Sequence, residues 1–229
     1  MKNAIIIGIC TVVAALAVAI VPQVTSNDNI KDSSNIEDSI VATISFGSGD
    51  AIIDMESVGA IYDFADTVVI GRVTEKQDAT MSSISPFPYT PYTMTVDKVI
   101  KGEEIGDSLQ FNVSGGTVTV KTFIHNTRST WERAVKMGLT ELSENEKNSK
   151  YVQYISNLTD EYTVGESYIM ILSKCSDGTY TVIDDNGTVE IGDFDILDSI
   201  NTKENVIQVA DIVSSGKDLS FFAGSLEEK

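Results

Sequence analysis

The chain has 229 residues, 42% of them hydrophobic, with 16 Lys and Arg against 34 Asp and Glu, a formal charge of −18. That length suits one ordinary domain plus a targeting segment rather than two large domains. So acidic a balance lacks the counterion-release drive behind phosphate-backbone binding, which excludes nucleic acid as a partner.

Lys2 precedes an apolar run, Ala4–Val21, in which only Thr11 is polar. At about 1.5 Å per residue this run spans roughly 27 Å as a helix, short for a membrane span and long for a signal-peptide core. Residues 1–22 are therefore read as a signal peptide or an N-terminal membrane anchor. Ala17 and Ala19 form a small-residue cleavage pattern, yet Ile20 and Val21 carry the apolar run past it. With Lys2 as the sole flanking charge, the following chain lies outside the cytoplasm, membrane-anchored or secreted. Residues 23–50, dense in Ser, Asn and Asp, are expected to be a disordered polar spacer. Residues 51–229 then form the folded domain. Its one cysteine, Cys175, has no second thiol in the domain, so the core alone must hold the fold.

The domain opens with "DMESVGAIYDFAD", where Met55, Val58, Ile61, Tyr62 and Ala65 recur at helical spacing and Asp54 is placed to cap the helix. "TVVIGRVTE" predicts a central strand, aliphatic on both faces, that bends at Gly71. Tyr92, Met94 and Val96 alternate with polar residues, and Leu109, Phe111 and Val113 repeat the pattern after a turn holding Gly102 and Gly106. These two runs predict an antiparallel hairpin. Gly115 and Gly116 break the second strand. A helical insertion is expected over about 127–160. Its first helix places Trp131, Ala134, Val135 and Leu139 on a buried stripe, capped by Ser129 with Glu132. Its second is capped by Ser143 with Glu146 and carries Tyr151, Tyr154, Ile155 and Leu158 inward. "SYIMILS" and "TYTVID" predict another hairpin, turning at Asp177 and Gly178, with "TVEIG" as a further strand. A last helix over about 202–215 is capped by Asn201, stopped by Gly216, and buries Val206, Val209, Ala210 and Val213. The fold class expected is mainly β with helical insertions (α+β), built as an OB-like closed or partly open antiparallel β-barrel.

The opening strand A-D-x-V-V-x-G-x-V (Ala65–Val73), the turn V-x-x-x-x-K-G (Val96–Gly102) and G-E-x-Y with an aliphatic run (Gly165–Leu172) carry a resemblance. In this order the pieces resemble the OB-like barrel of tissue inhibitors of metalloproteinases and netrin-like modules, and an uncharacterised group of exported bacterial proteins. The resemblance covers about residues 54–190 and implies the fold. Inhibitors of that family chelate zinc through a cysteine at the start of the mature chain. No cysteine here is placed to do so, and no residue inherits that role.

The remaining candidates for chemistry are few. His125 is the only histidine, and a secreted hydrolase using it with Ser129 or an aspartate is the alternative to a binding function. No G-x-S-x-G elbow accompanies it. The run Val182–Asp193 approaches a calcium loop, with Asp184, Asn186 and Gly187 in register, but Val182 and Asp193 replace two ligand positions. No metal, no cofactor and no catalytic residue is therefore assigned. The stretch Asp78–Pro91 holds three of the four prolines around Phe87 and Tyr89, a stiff loop with two aromatic rings beside a barrel's binding face. Phe87 and Tyr89 are the candidate binding residues. The function expected is a non-enzymatic extracytoplasmic binding or interaction module, its partner another protein or a cell-envelope component. Protease inhibition by a route other than zinc chelation is a further alternative.

Overall fold

The computed structural model describes residues 34–46, 57–82, 85–156, 161–183, 187–192, 197–216 and 219. Five strands close into a barrel: β2 (Thr67–Lys76), β4 (Pro88–Lys101), β5 (Ser108–Ser114), β8 (Ser167–Lys174) and β9 (Tyr180–Val182). Four neighbouring pairs are antiparallel, and β5 with β9 is parallel. That mixed closure in the order β2-β4-β5-β9-β8 is the OB-like arrangement. Two short strands lie outside it, β3 (Thr80–Met81) on β4 and β10 (Thr188–Glu190) on β8.

The strands β2 and β8 read as unbroken aliphatic runs because both of their faces are covered. Val69, Val73, Tyr168, Met170 and Leu172 point into the barrel with Tyr92, Met94, Leu109 and Phe111. On the outer face, Val68, Ile70, Ile169 and Ile171 pack with Ile61 of α2 (Val58–Phe64) and with Val206, Val209 and Ala210 of α6 (Lys203–Ser214). Inside the barrel, Tyr92 stacks on Phe111, and Tyr162 meets both rings edge-on. The Tyr162 hydroxyl is satisfied by Thr188 Oγ1 at 2.9 Å. Lys101 ends β4 by donating to the Tyr62 and Asp63 carbonyls, the exposed C-terminal carbonyls of α2.

Between β5 and β8 the chain builds a second layer. It comprises β6 (Gly116–Thr119), α3 (Val120–Asn126), α4 (Arg128–Lys136), a 3₁₀ turn (Leu139–Glu141), α5 (Glu144–Ser149) and β7 (Tyr151–Ser156). β7 is the centre of a three-stranded sheet, antiparallel to β6 and parallel to β1 (Ile40–Phe46), which follows the short helix α1 (Ser34–Glu37). One face of this sheet buries Val118, Val152 and Tyr154 against Phe123, Ala134 and Leu139.

Several expectations are corrected here. Residues 34–46, placed in the disordered spacer, form α1 and β1, because Ala42 and Ile44 find cover on the insertion's core. Tyr151–Ser156 is a strand, not the continuation of a helix. Its tyrosines and branched residues favour a pleated surface, and Val152 and Tyr154 alternate inward with period two. The helical part of the insertion starts at Val120, earlier than expected. Trp131 is half exposed, as is Val135. Ala134 and Leu139 are buried as expected, and Thr130 rather than Trp131 or Val135 completes the inward face of α4, where small side chains let the helix approach closely. Helix caps shift by one to three residues: Ser57, Thr127 with Thr130, and Thr202 with Asn205 take the places expected of Asp54, Ser129 with Glu132, and Asn201. Asp54 and Met55 lie outside the described residues. The Ser143–Glu146 capping box is present as expected. Among the described residues no helix is long and apolar enough to cross a membrane, and the apolar run Ala4–Val21 lies outside them.

Candidate functional site

The chain leaving β2 is tied down at several of its described residues. Gln77 N–H donates to the Pro91 carbonyl, Thr80 pairs with Tyr89, and Ala79 and Met81 pack on the core of the insertion. Asn126 Nδ2, at the end of α3, donates to the Ser85 carbonyl at 2.6 Å. Ser85 Oγ in turn accepts from Phe87 N–H at 3.2 Å. What the proline-rich stretch suggested as one loop thus contains two short strands, β3 and the start of β4, and the chain entering β4 is pinned at Ser85 and Phe87. Pro88 begins β4, and Pro91 falls between the β2 ladder, which ends at Tyr92, and the β3 ladder, which starts at Tyr89, so neither registers it on that side.

Phe87 lies at the end of that connection with 38% of its surface exposed, its ring edge-on to Tyr154 at 6.2 Å. Tyr89 is half-buried in β4, directly opposite Ser114 of β5. Burial raises the pKa of its hydroxyl, and the Asp177 carboxylate in the β8–β9 turn adds to the shift. The two sequence-predicted residues therefore differ in character. Phe87 is available at the surface, whereas Tyr89 is largely part of the barrel wall.

Beside them, at the mouth of the barrel, is a cleft of about 250 Å³. Thr90 and Tyr92 of β4 form one side, and Thr117, Gln153 and Ile155, on the open face of the small sheet, form the other. Gly115 and Gly116, at φ 105° and 121°, turn the chain out of β5 into β6 and so join the two sheets. A Cβ at Gly116 would meet Ala79 Cβ at 2.5 Å and Thr90 Oγ1 at 2.6 Å, so only glycine allows this approach. Thr90 Oγ1 donates to the Gly115 carbonyl and locks the junction. At the rim Lys76 Nζ pairs with Glu161 at 2.9 Å. Partial burial disfavours the Lys76 charge, but Glu161 and Tyr92 outweigh it and leave the pKa raised. The cleft was missed in the sequence, where the glycine doublet reads as a strand break; its signal is two adjacent glycines between two alternating runs.

The other candidates are not assembled into a site. His125 is exposed in the last turn of α3 and makes no hydrogen bond among the described residues. The Ser129 hydroxyl pairs with Thr127 Oγ1 at 3.0 Å rather than with the imidazole. Of the calcium-like run, Asp184, Asn186 and Asp193 lie outside the described residues, among which no group of three His, Cys, Asp or Glu could hold a metal. Cys175 is buried in the β8–β9 turn, its backbone bonded to Thr179 and Gly178.

Fold and site together define an OB-like barrel domain with a cleft where its mouth meets a second sheet. Comparison with models of known protein families and with curated proteins gives no match.

Proposed function

We propose that this protein is a non-enzymatic binding module working outside the cytoplasm, carried there by its N-terminal apolar segment. Its partner is another protein or a component of the cell envelope. The observation that carries the reading is Phe87, a large aromatic side chain held 38% exposed on a connection that Asn126 and Ser85 pin in place. An exposed ring on a rigid support contributes contact area without a large ordering cost, which is how interface anchors gain their energy. The charge of −18 supports a partner that is not nucleic acid. The resemblance to metalloproteinase inhibitors and netrin-like modules is in keeping with a binding role, but the zinc-chelating terminal cysteine of those inhibitors has no counterpart here.

The test is capture from solubilised cell-envelope material by the full chain and by Phe87→Ser. A species retained by the native protein should bind the variant more weakly by about 2 kcal/mol. Equal retention by both proteins would remove Phe87 from the binding face.

A further inference from the structure

We infer that the cleft at the barrel mouth is a binding site for a neutral, hydroxyl-rich ligand, such as a sugar ring of a glycan chain. This rests on the reading of the protein as a binding module and supplies the chemical class of one ligand.

The argument starts with what the cleft walls offer. Thr117 and Gln153 are direct cross-strand partners on the open face of the small sheet, so hydroxyl and amide stand side by side. Among the described residues the Gln153 side chain makes one long contact, accepting from Thr43 Oγ1 at 3.5 Å, and Thr117 Oγ1 makes none. The amide N–H groups and the threonine hydroxyl are left to donate into the cleft, and the Thr117 oxygen can also accept. Across from them, Thr90 Oγ1 spends its proton on the Gly115 carbonyl and retains acceptor capacity. Donors on one wall and an acceptor on the other match a ligand whose groups both donate and accept, which is the property of a hydroxyl. Ile155, two residues from Gln153 on the same face and 42% exposed, adds an apolar flank for the C–H face of a ring.

Charge and backbone narrow the class further. Among the described residues Glu161 is the one charged residue lining the cleft, and Lys76 neutralises it at the rim. Among the described lining residues no cation is left over to hold a phosphate or carboxylate, and the acidic chain repels anions at long range. β7 already pairs with both β1 and β6, so Gln153 and Ile155 offer the cleft side chains rather than a free backbone ladder. The volume of about 250 Å³ accommodates one ring and its substituents rather than a buried oligomer, with the rest of a chain lying along the open side.

The experiment titrates the full chain, in detergent, with neutral tetrasaccharides of glucose, galactose, mannose and N-acetylglucosamine, and with a uronic-acid tetrasaccharide. Binding is followed by calorimetry and by the amide resonances of Thr117 and Gln153. At least one neutral tetrasaccharide should bind with a dissociation constant of about 1 mM or tighter. Gln153→Leu and Thr117→Val should each weaken it about tenfold with the melting temperature unchanged. Trp131→Ala, on the exposed side of α4 and outside the cleft, should leave sugar binding intact. Failure of all the neutral sugars, equal binding by the cleft variants, or preference for the uronic-acid chain overturns the assignment. If the sugars fail while envelope capture still depends on Phe87, the cleft inference falls and the binding-module reading stands.

Discussion

Gly71 lies so close to Thr95 across the β2–β4 ladder that a Cβ built on it would come within 2.1 Å of the Thr95 carbonyl oxygen. The same atom would meet Met94 Cε at 2.7 Å inside the barrel. The register slips between Ile70 and Gly71, and the missing side chain lets β2 bend there and the barrel close. Because the obstacle is backbone, it has no rotamer to escape into. Gly71→Ala should destabilise the protein by roughly 3 kcal/mol. Gly106→Ala, which meets nothing within 4 Å, should be close to neutral. Denaturant unfolding of the two variants checks the contrast; equal midpoints would show that β2 closes the barrel without the bend.

Trp131 is the only tryptophan, and 51% of its surface is exposed. Its emission should resemble that of an indole in water, and Trp131→Ala should cost no more than roughly 1 kcal/mol. A blue-shifted emission in the folded monomer, or a cost of several kcal/mol, would place the ring in a core. The helical periodicity in this segment admits two stripes about one residue apart. Both share Ala134; the sequence reading added the larger Trp131 and Val135, while packing adds Thr130 because a short helix against a small sheet needs close contact more than volume.

The barrel was legible because its strands are covered on both faces or alternate cleanly, as in Val68–Ile70 and Tyr92–Met94, patterns with no helical counterpart of the same length. The strand β7 was not. "YVQYIS" follows a true capping box and a true helix, and Tyr151, Tyr154 and Ile155 satisfy a helical stripe while only Val152 and Tyr154 carry the alternation. What decides between them is the pairing with β1 and β6, contacts more than thirty residues away in sequence that local pattern does not encode. The cleft depends on the same non-local sheet, which is why Phe87 was found from composition while Thr117 and Gln153 were not.

Five tyrosines, Tyr62, Tyr89, Tyr92, Tyr154 and Tyr168, have pKa values raised above 10.0, each mainly by burial. Above pH 10 the unfolded chain releases these protons while the folded protein keeps them, so unfolding becomes favoured as pH climbs. Their contribution is complete below pH 10 and is lost as pH rises through the folded values. Phenolate absorbance should lag the behaviour of free tyrosine and then rise together with loss of far-ultraviolet ellipticity. Ionisation of all eight tyrosines near pH 10 with the fold intact would contradict the burial of these rings.

Phe87 and Tyr89 should separate in a stability assay, although the sequence presents them as a pair. The Phe87 ring rests edge-on against Tyr154 with 38% of its surface exposed, so Phe87→Ser removes less buried surface than a core ring would. An edge-to-face contact of this kind contributes about 1 kcal/mol beyond its area. Tyr89 pairs opposite Ser114 in the barrel ladder, and its ring is half-buried among the strand and the β8–β9 turn. Tyr89→Ser strips that cover from the β4–β5 pair and should cost roughly 2 to 3 kcal/mol. Thermal melts of the two single variants give the comparison directly. A larger loss for Phe87→Ser than for Tyr89→Ser would mean that the ring on Tyr154 is part of the insertion's core, and the contact surface would then have to be sought at the barrel mouth alone.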